Sequence, residues 1–321
     1  MNVLILSAAA KVLLVRAFAV ACHARGGRVF AADLGPDNAA LFEADGAVFL
    51  PPSDAPQYPQ VLSETCSRLG IRLVVPTRDG ELAVLDRARE RILAAGAAVL
   101  TPGSEALDIC QDKRRFVAFC AQQGLATPRT YAVSQQPEQF PVFVRPVRGA
   151  GGKGARIIGR ASDLPSDPDL LVQDVETAPE FTIDVLCDLQ GQPLQAVARR
   201  RLVVRAGEAV KARIQAAPEL EAQALTLCGA LGLIGHNVVQ AFYTPEAGAR
   251  FIEVNPRFGG ASNLSIQAGL ASPERILQML EGRGDSAAAP RDIIQDLTML
   301  RYSEDRLVRG SELAALEAGA L

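Results

Sequence analysis

Over its first hundred residues the chain alternates short apolar runs with helix-length segments, and that alternation sharply narrows the folds open to it. Asn2–Ser7 is an apolar run ending in a small residue, Val12–Arg25 has helical length, and Gly26-Gly27 turns the chain into a second run, Arg28–Ala32. The pattern continues with Ala39–Ala44 as a helix, Val48–Leu50 as a strand, Tyr58–Leu69 as a helix and Arg72–Val75 as a strand. Glu81–Ala95 is then helical and Ala98–Thr101 a strand. Strands separated by helices pair in parallel, and the resulting doubly wound α/β sheet binds ligands beyond its strand C-termini.

A dinucleotide reading fails at the first turn. Asp33 ends the second strand where a ribose acid would stand, but Ser7-Ala8-Ala9-Ala10-Lys11 lacks the glycines that let a pyrophosphate approach the backbone. Asp33 is then a helix cap or a loop acid. Thr77-Arg78-Asp79-Gly80-Glu81 follows a strand and opens a helix, and two readings stand side by side: an N-terminal cap, or part of a substrate pocket.

From Asp112 the texture changes, and we place a boundary near residue 108. Strands and hairpins dominate to about Asn255, with one clear helix at Glu219–Leu231, which indicates an α+β region over 109–284. Asp285–Arg291 reads as a polar loop. Residues 285–321 then supply a strand, Leu297–Tyr302, and a short helix, Glu312–Glu317, capped by Ser311 and packing back.

Composition excludes several function classes. Lys+Arg 33 against Asp+Glu 36 leaves no global positive field for nucleic acid or an anionic membrane. Lys11 and Arg16 interrupt the most apolar stretch, Val3–Ala24, which argues against a membrane span, and the run starts at Val3 with no basic segment before it, as a secretory signal would need, so a cytoplasmic protein is expected. Cys22, Cys66, Cys110, Cys120, Cys187 and Cys228 contain no C-x-x-C pair and read as reduced, mostly buried thiols. His23 and His236 both stand apart from any Cys or Ser motif. Chemistry must come from carboxylates, amides, cations and backbone.

Four segments could carry it. Arg145-Pro146-Val147-Arg148-Gly149-Ala150-Gly151-Gly152-Lys153-Gly154 lies between two apolar runs, with no following helix and no Ser or Thr after Lys153. That excludes both the dinucleotide turn and the P-loop and leaves a glycine hairpin whose N–H groups, with Lys153 and Arg145, can close over phosphates, or a merely flexible surface turn. Asn237–Tyr243 and Arg250–Arg257 form a second hairpin, in which Glu253 and Asn255 share a face and Gln240 can stand opposite. Three such oxygen donors suit Mg²⁺, with Arg257 beside developing negative charge; a solvated polar face is the alternative. Leu170–Asp174 leads into Glu180–Val185, a strand and linker able to meet an adenine edge, with Glu180 placed for ribose hydroxyls. Arg199-Arg200-Arg201 to Lys211 puts Arg199 and Arg201 on one strand face, for an anionic substrate or as a surface charge run.

Together these segments resemble the ATP-grasp superfamily, most of all the carbamoyl-phosphate-synthase large-chain type, over nearly the whole chain. The resemblance implies a pre-ATP-grasp doubly wound parallel sheet (1–108), then a two-lobed ATP-grasp domain with a nucleotide lobe (109–170) and a catalytic lobe (171–284). It implies that Lys113 and Arg145 contact ATP phosphates, that Gly149, Gly151, Gly152, Lys153 and Gly154 cover them, and that Gln173, Asp174, Val175, Glu180 and Lys211 complete the nucleotide site. Gln240, Glu253 and Asn255 would hold Mg²⁺ (or Mn²⁺), and Arg257, with Lys153 and Arg145, would act on an acyl phosphate. Asp174 departs from the Glu usual after the Gln, and Arg145 from the commoner Lys. The implied function is an ATP-dependent ligase joining a small carboxylate to an amine, with release of ADP and phosphate. A bicarbonate or carbamate kinase working with a partner, and a non-catalytic nucleotide-binding module, are the alternatives. Relatives commonly form homodimers.

Overall fold

The computed structural model describes residues 1–132, 135–149 and 151–318; Ala150 of the glycine segment lies outside the described residues. Five parallel strands open the chain: β1 (Asn2–Ile5), β2 (Val29–Asp33), β3 (Gly46–Phe49), β4 (Ile71–Val75) and β5 (Ala98–Val99), in the order β3-β2-β1-β4-β5. Helices α1 (Val12–His23), α2 (Tyr58–Leu69), α3 (Asp79–Arg87) and α4 (Arg89–Ala94) connect them. Val3, Leu4 and Ile5 are all fully buried, as expected for a strand with both faces covered. The 39–44 segment is a 3₁₀ turn rather than an α-helix, and the expected 81–95 helix is two helices broken at Ala88. There the Arg89 side chain turns to Asp86 and to the carbonyls of Thr101 and Pro102.

Helix α5 (Ser104–Gln111) leads to α6 (Lys113–Gln122), which Asp112 caps by accepting from the Arg114 and Arg115 amides. A small antiparallel sheet follows, built from β6 (Thr130–Tyr131), β7 (Val142–Pro146), β8 (Arg156–Ile158) and β9 (Leu170–Asp174), in the order β6-β9-β7-β8. A larger antiparallel sheet takes β10 (Glu180–Cys187), β11 (Pro193–Arg205), β12 (Glu208–Ile214), β13 (Gly235–Thr244) and β14 (Gly248–Asn255). Helix α7 (Pro218–Ala230) packs beneath it, its Leu220, Leu227 and Cys228 in one core with Ile183, Val239 and Phe251.

Three helices between Asn255 and Arg291 are additions to the sequence reading: α8 (Ser262–Ser265), α9 (Ser272–Leu280) and α10 (Gly284–Ala288), the last where a polar loop was expected. Strand β15 (Thr298–Leu300) extends the large sheet beyond β12, and α11 (Gly310–Glu317) ends the described chain. Arg309, not Ser311, precedes α11, because Glu312 reaches back to the Arg309 amide. A continuous core joins the first sheet to the last helices through Phe18 of α1, whose ring meets Phe258 edge-on at 5.6 Å. No described helix is long and apolar enough to cross a membrane.

Candidate active site

The two antiparallel sheets face each other across a cavity of about 530 Å³. Strands β7 and β9 supply one wall with Phe143, Arg145, Gln173 and Asp174; β10, β11, β13 and β14 supply the other with Glu180, Arg199, Arg201, Gln240, Glu253 and Asn255. Lys113 enters from the first turn of α6, and Val175 from the segment joining the sheets. Arg257 lines the far rim, on the loop that leaves β14.

The metal candidates converge as the strand pairing demands. Gln240 is the register partner of Glu253, with a bulge immediately after Gln240, and Val238 is that of Asn255. Asn255 Nδ2 donates to Glu253 Oε1 at 3.3 Å and approaches Gln240 Oε1 at 3.5 Å. Half a turn of the Asn255 amide replaces that nitrogen with Oδ1 and completes a set of one carboxylate and two amide oxygens. Such hard oxygen donors fit Mg²⁺, which takes its remaining ligands from water and nucleotide phosphates. No group of three or more His, Cys, Asp or Glu among the described residues could hold a metal, so a metal site must draw on amides.

Cations surround this set. Lys113 Nζ donates to the Gly149 carbonyl at 2.9 Å, and burial pulls its pKa below the usual lysine value while Glu253 opposes the shift. Arg145 is buried, donates to the Ile252 carbonyl at 3.1 Å and keeps its Nε–H without an acceptor among the described residues. Arg201 Nε is orphaned in the same way. Two buried guanidinium donors lacking partners in the wall of one cavity suit an anionic ligand.

Arg199 and Arg201 correct the surface-charge reading. Arg199 Nε donates to Asp184 at 2.6 Å, with both side chains essentially buried, and Arg201 pairs with Glu180 at 3.0 Å. Glu180 also accepts from Gln240 Nε2 at 3.1 Å, so its carboxylate is already oriented at the cavity edge. Gln173 donates to Thr130 Oγ1 at 2.9 Å, and Asp174 accepts from the Tyr131 hydroxyl at 2.6 Å. Two implied residues do not face the cavity. Lys211 stands on β12 opposite Val203 and Leu300, outside the lining, because its neighbour Ala212 pairs with Arg201 and alternation turns Lys211 to the other face. Gly154 closes the hairpin instead of lining it, its α-carbon turned to Pro146.

Gly149, Gly151, Gly152 and Lys153 do line the cavity. Gly151 and Gly152 have φ of +69° and +68°, a region costly for residues with a Cβ. The hairpin rests on the β11–β12 turn: a Cβ added at Gly207 would come within 2.7 Å of the Gly151 carbonyl oxygen.

His236 has Ser262 and Asp184 within 2.9 and 3.1 Å, a grouping the sequence reading missed because its members are 26 and 52 positions away. All three are fully buried and none lines the cavity, so this is a structural network and not a nucleophile with its base.

Two family models match the chain: "PylC-like, N-terminal domain" over residues 3–100 and "ATP-grasp in the biosynthetic pathway with Ter operon" over 166–303. Residues 166–303 thus match an ATP-grasp model. Among curated relatives, the carbamoyl phosphate synthase large chain of Thermomicrobium roseum is 24% identical over 272 residues, 75% of this chain. The matched parts span only 25% of that relative and 11% of its Campylobacter jejuni counterpart. Among solved structures, a biotin carboxylase–β-γ-ATP complex from C. jejuni aligns with a TM-score of 0.71 at 16% identity, covering 92% of this chain and 73% of that one. The L-amino acid ligase of Bacillus licheniformis aligns at 0.65 and 17%, covering 90% and 77%. At such identities these neighbours speak for the fold. The ATP-grasp architecture accounts for the parallel sheet followed by two facing antiparallel sheets.

Proposed function

We propose that the cavity binds Mg·ATP, activates a small-molecule carboxylate as an acyl phosphate and joins it to an amine, releasing ADP and phosphate. The observation that carries this reading is the convergence of Gln240, Glu253 and Asn255 in the cavity that Lys113, Arg145 and the glycine hairpin also enter. Phosphoryl transfer depends on positioning and charge stabilisation more than on a dedicated base, so a site without a lining histidine suits it.

In this reading Lys113 and Arg145 hold the phosphates, Gly149–Lys153 exclude water above them, and Phe143, Val175 and Phe242 give the apolar wall for a base. Glu180 receives ribose hydroxyls. Gln240, Glu253 and Asn255 would hold Mg²⁺, which neutralises phosphate charge and aligns the transferred group. Arg257 stabilises the charge that builds on the acyl phosphate, and with domain limits of 1–108, 109–284 and 285–321 acceptor recognition would fall where the first unit meets that arginine. The six free cysteines fit a reducing cytoplasm.

The test is ADP release with Mg·ATP against pooled carboxylates and amines, with mass detection of products. Turnover with one acid–amine pair supports the ligase; turnover with bicarbonate alone supports a kinase that hands its product to a partner. Glu253→Ala is expected to abolish ADP formation, and unchanged turnover would remove Glu253 from the metal site.

A further inference from the structure

We propose that Asp79, in the N-terminal parallel-sheet unit, is a positioning residue for Arg257, an inference that rests on the ligase reading of the site. Arg257 stands on an irregular loop after β14, where a long, flexible side chain has little to hold it. Asp79 grips it bidentately: Nε donates to Oδ1 at 2.7 Å and Nη2 to Oδ2 at 2.5 Å. Arg257 lines the cavity and Asp79 does not, so the acid acts from behind the arginine and not on the ligand.

Asp79 is itself held firmly. It is the first residue of α3, and Glu81 closes the turn around it by accepting from the amides of Thr77 and Arg78 and from Ser7 Oγ. Its carbonyl accepts from Gln111 Nε2 at 2.9 Å. The Thr77–Glu81 segment is thus a helix cap, and it reaches the cavity only through its hold on Arg257. Charge points the same way, since Asp79 opposes the positive field that Arg257 exerts on Lys11. As the amide stands, Arg257 Nη2 also donates to Asn255 Oδ1 at 3.2 Å, a contact given up by the half-turn that would bring Oδ1 into the metal set.

The experiment combines proton exchange and kinetics on the full chain. With ¹⁵N-arginine labelling, the Nε–H signal of Arg257 is identified by its loss in Arg257→Lys. Its exchange is expected to speed up at least about tenfold in Asp79→Asn, and an unchanged signal would overturn the positioning contact. With the substrates found in the screen, Asp79→Asn should lower kcat about 100-fold while KM for ATP moves less than about twofold. Asp79→Glu, which keeps the charge but displaces the guanidinium, should lower kcat about tenfold at unchanged thermal midpoint. Arg306→Ala breaks a different contact with the first unit, the pair with Glu43, and should leave kcat unchanged. A purely structural role for Asp79 would show instead as full kcat in Asp79→Glu. Loss of turnover in Glu253→Ala with Asp79→Asn fully active would sink this inference alone; full turnover in Glu253→Ala would sink the ligase reading, leaving the exchange measurement to decide the contact.

Discussion

Asp184 shows how much one buried carboxylate can organise. Burial pushes its pKa up, but Arg199 and His236 pull harder and hold it well below the usual carboxylate range. Ser262 and Ser265 donate to it at 2.8 and 2.5 Å, so every lone pair that faces the core is used. A depressed carboxylate contributes stability that is fully present above its unfolded pKa, about 4, and is lost as pH falls towards the folded value. Acid unfolding is therefore expected to steepen below about pH 4. Asp184→Asn leaves Arg199 buried without a counter-charge and should cost about 3–5 kcal/mol in urea denaturation, with the acid limb flattened. A loss under about 1 kcal/mol would mean that Arg199 finds another partner. None of this was legible in the Arg-Arg-Arg run, because alternation along a strand says which residues share a face and not which face is buried.

At the level of elements, the glycine hairpin and the β11–β12 turn lie against each other. Glycine density and spacing identified the first in the sequence; the second, Ala206-Gly207, carries no signal beyond an ordinary turn. Gly207 has a φ of +77° and lies against the Gly151 carbonyl, so a methyl group there both strains the backbone and displaces the hairpin. Gly207→Ala should weaken nucleotide binding about tenfold and cost about 1 kcal/mol or more of stability, read by titration with ADP and by thermal unfolding. Unaltered ADP affinity would show that the hairpin closes without this turn. The Gln240, Glu253 and Asn255 pairing was readable beforehand because β13 and β14 are joined by a short turn, so local register carries it.

Across the whole molecule, the last segment ties the units together. Beyond β15 the chain passes to the first unit, where Arg306 pairs with Glu43 and lies over the Phe42 ring, and Leu316 of α11 is buried in the core that contains Phe18 and Val15. Leu316→Ala should lower stability by about 2–3 kcal/mol with ADP affinity unchanged, since it does not line the cavity. An equal loss in affinity would instead make this contact part of the nucleotide site.

The parallel sheet, the glycine hairpin and the hairpin that pairs Gln240 with Glu253 and Asn255 were all present in the amino-acid order, because hydrophobic period, glycine conformation and strand alternation act over a dozen residues or fewer. Long-range packing decided the rest. The grip of Asp79 on Arg257 spans 178 positions, and Asp184, the partner of Arg199, takes two more hydrogen bonds from Ser262 and Ser265; charged side chains carry no local mark of the partner that will neutralise them.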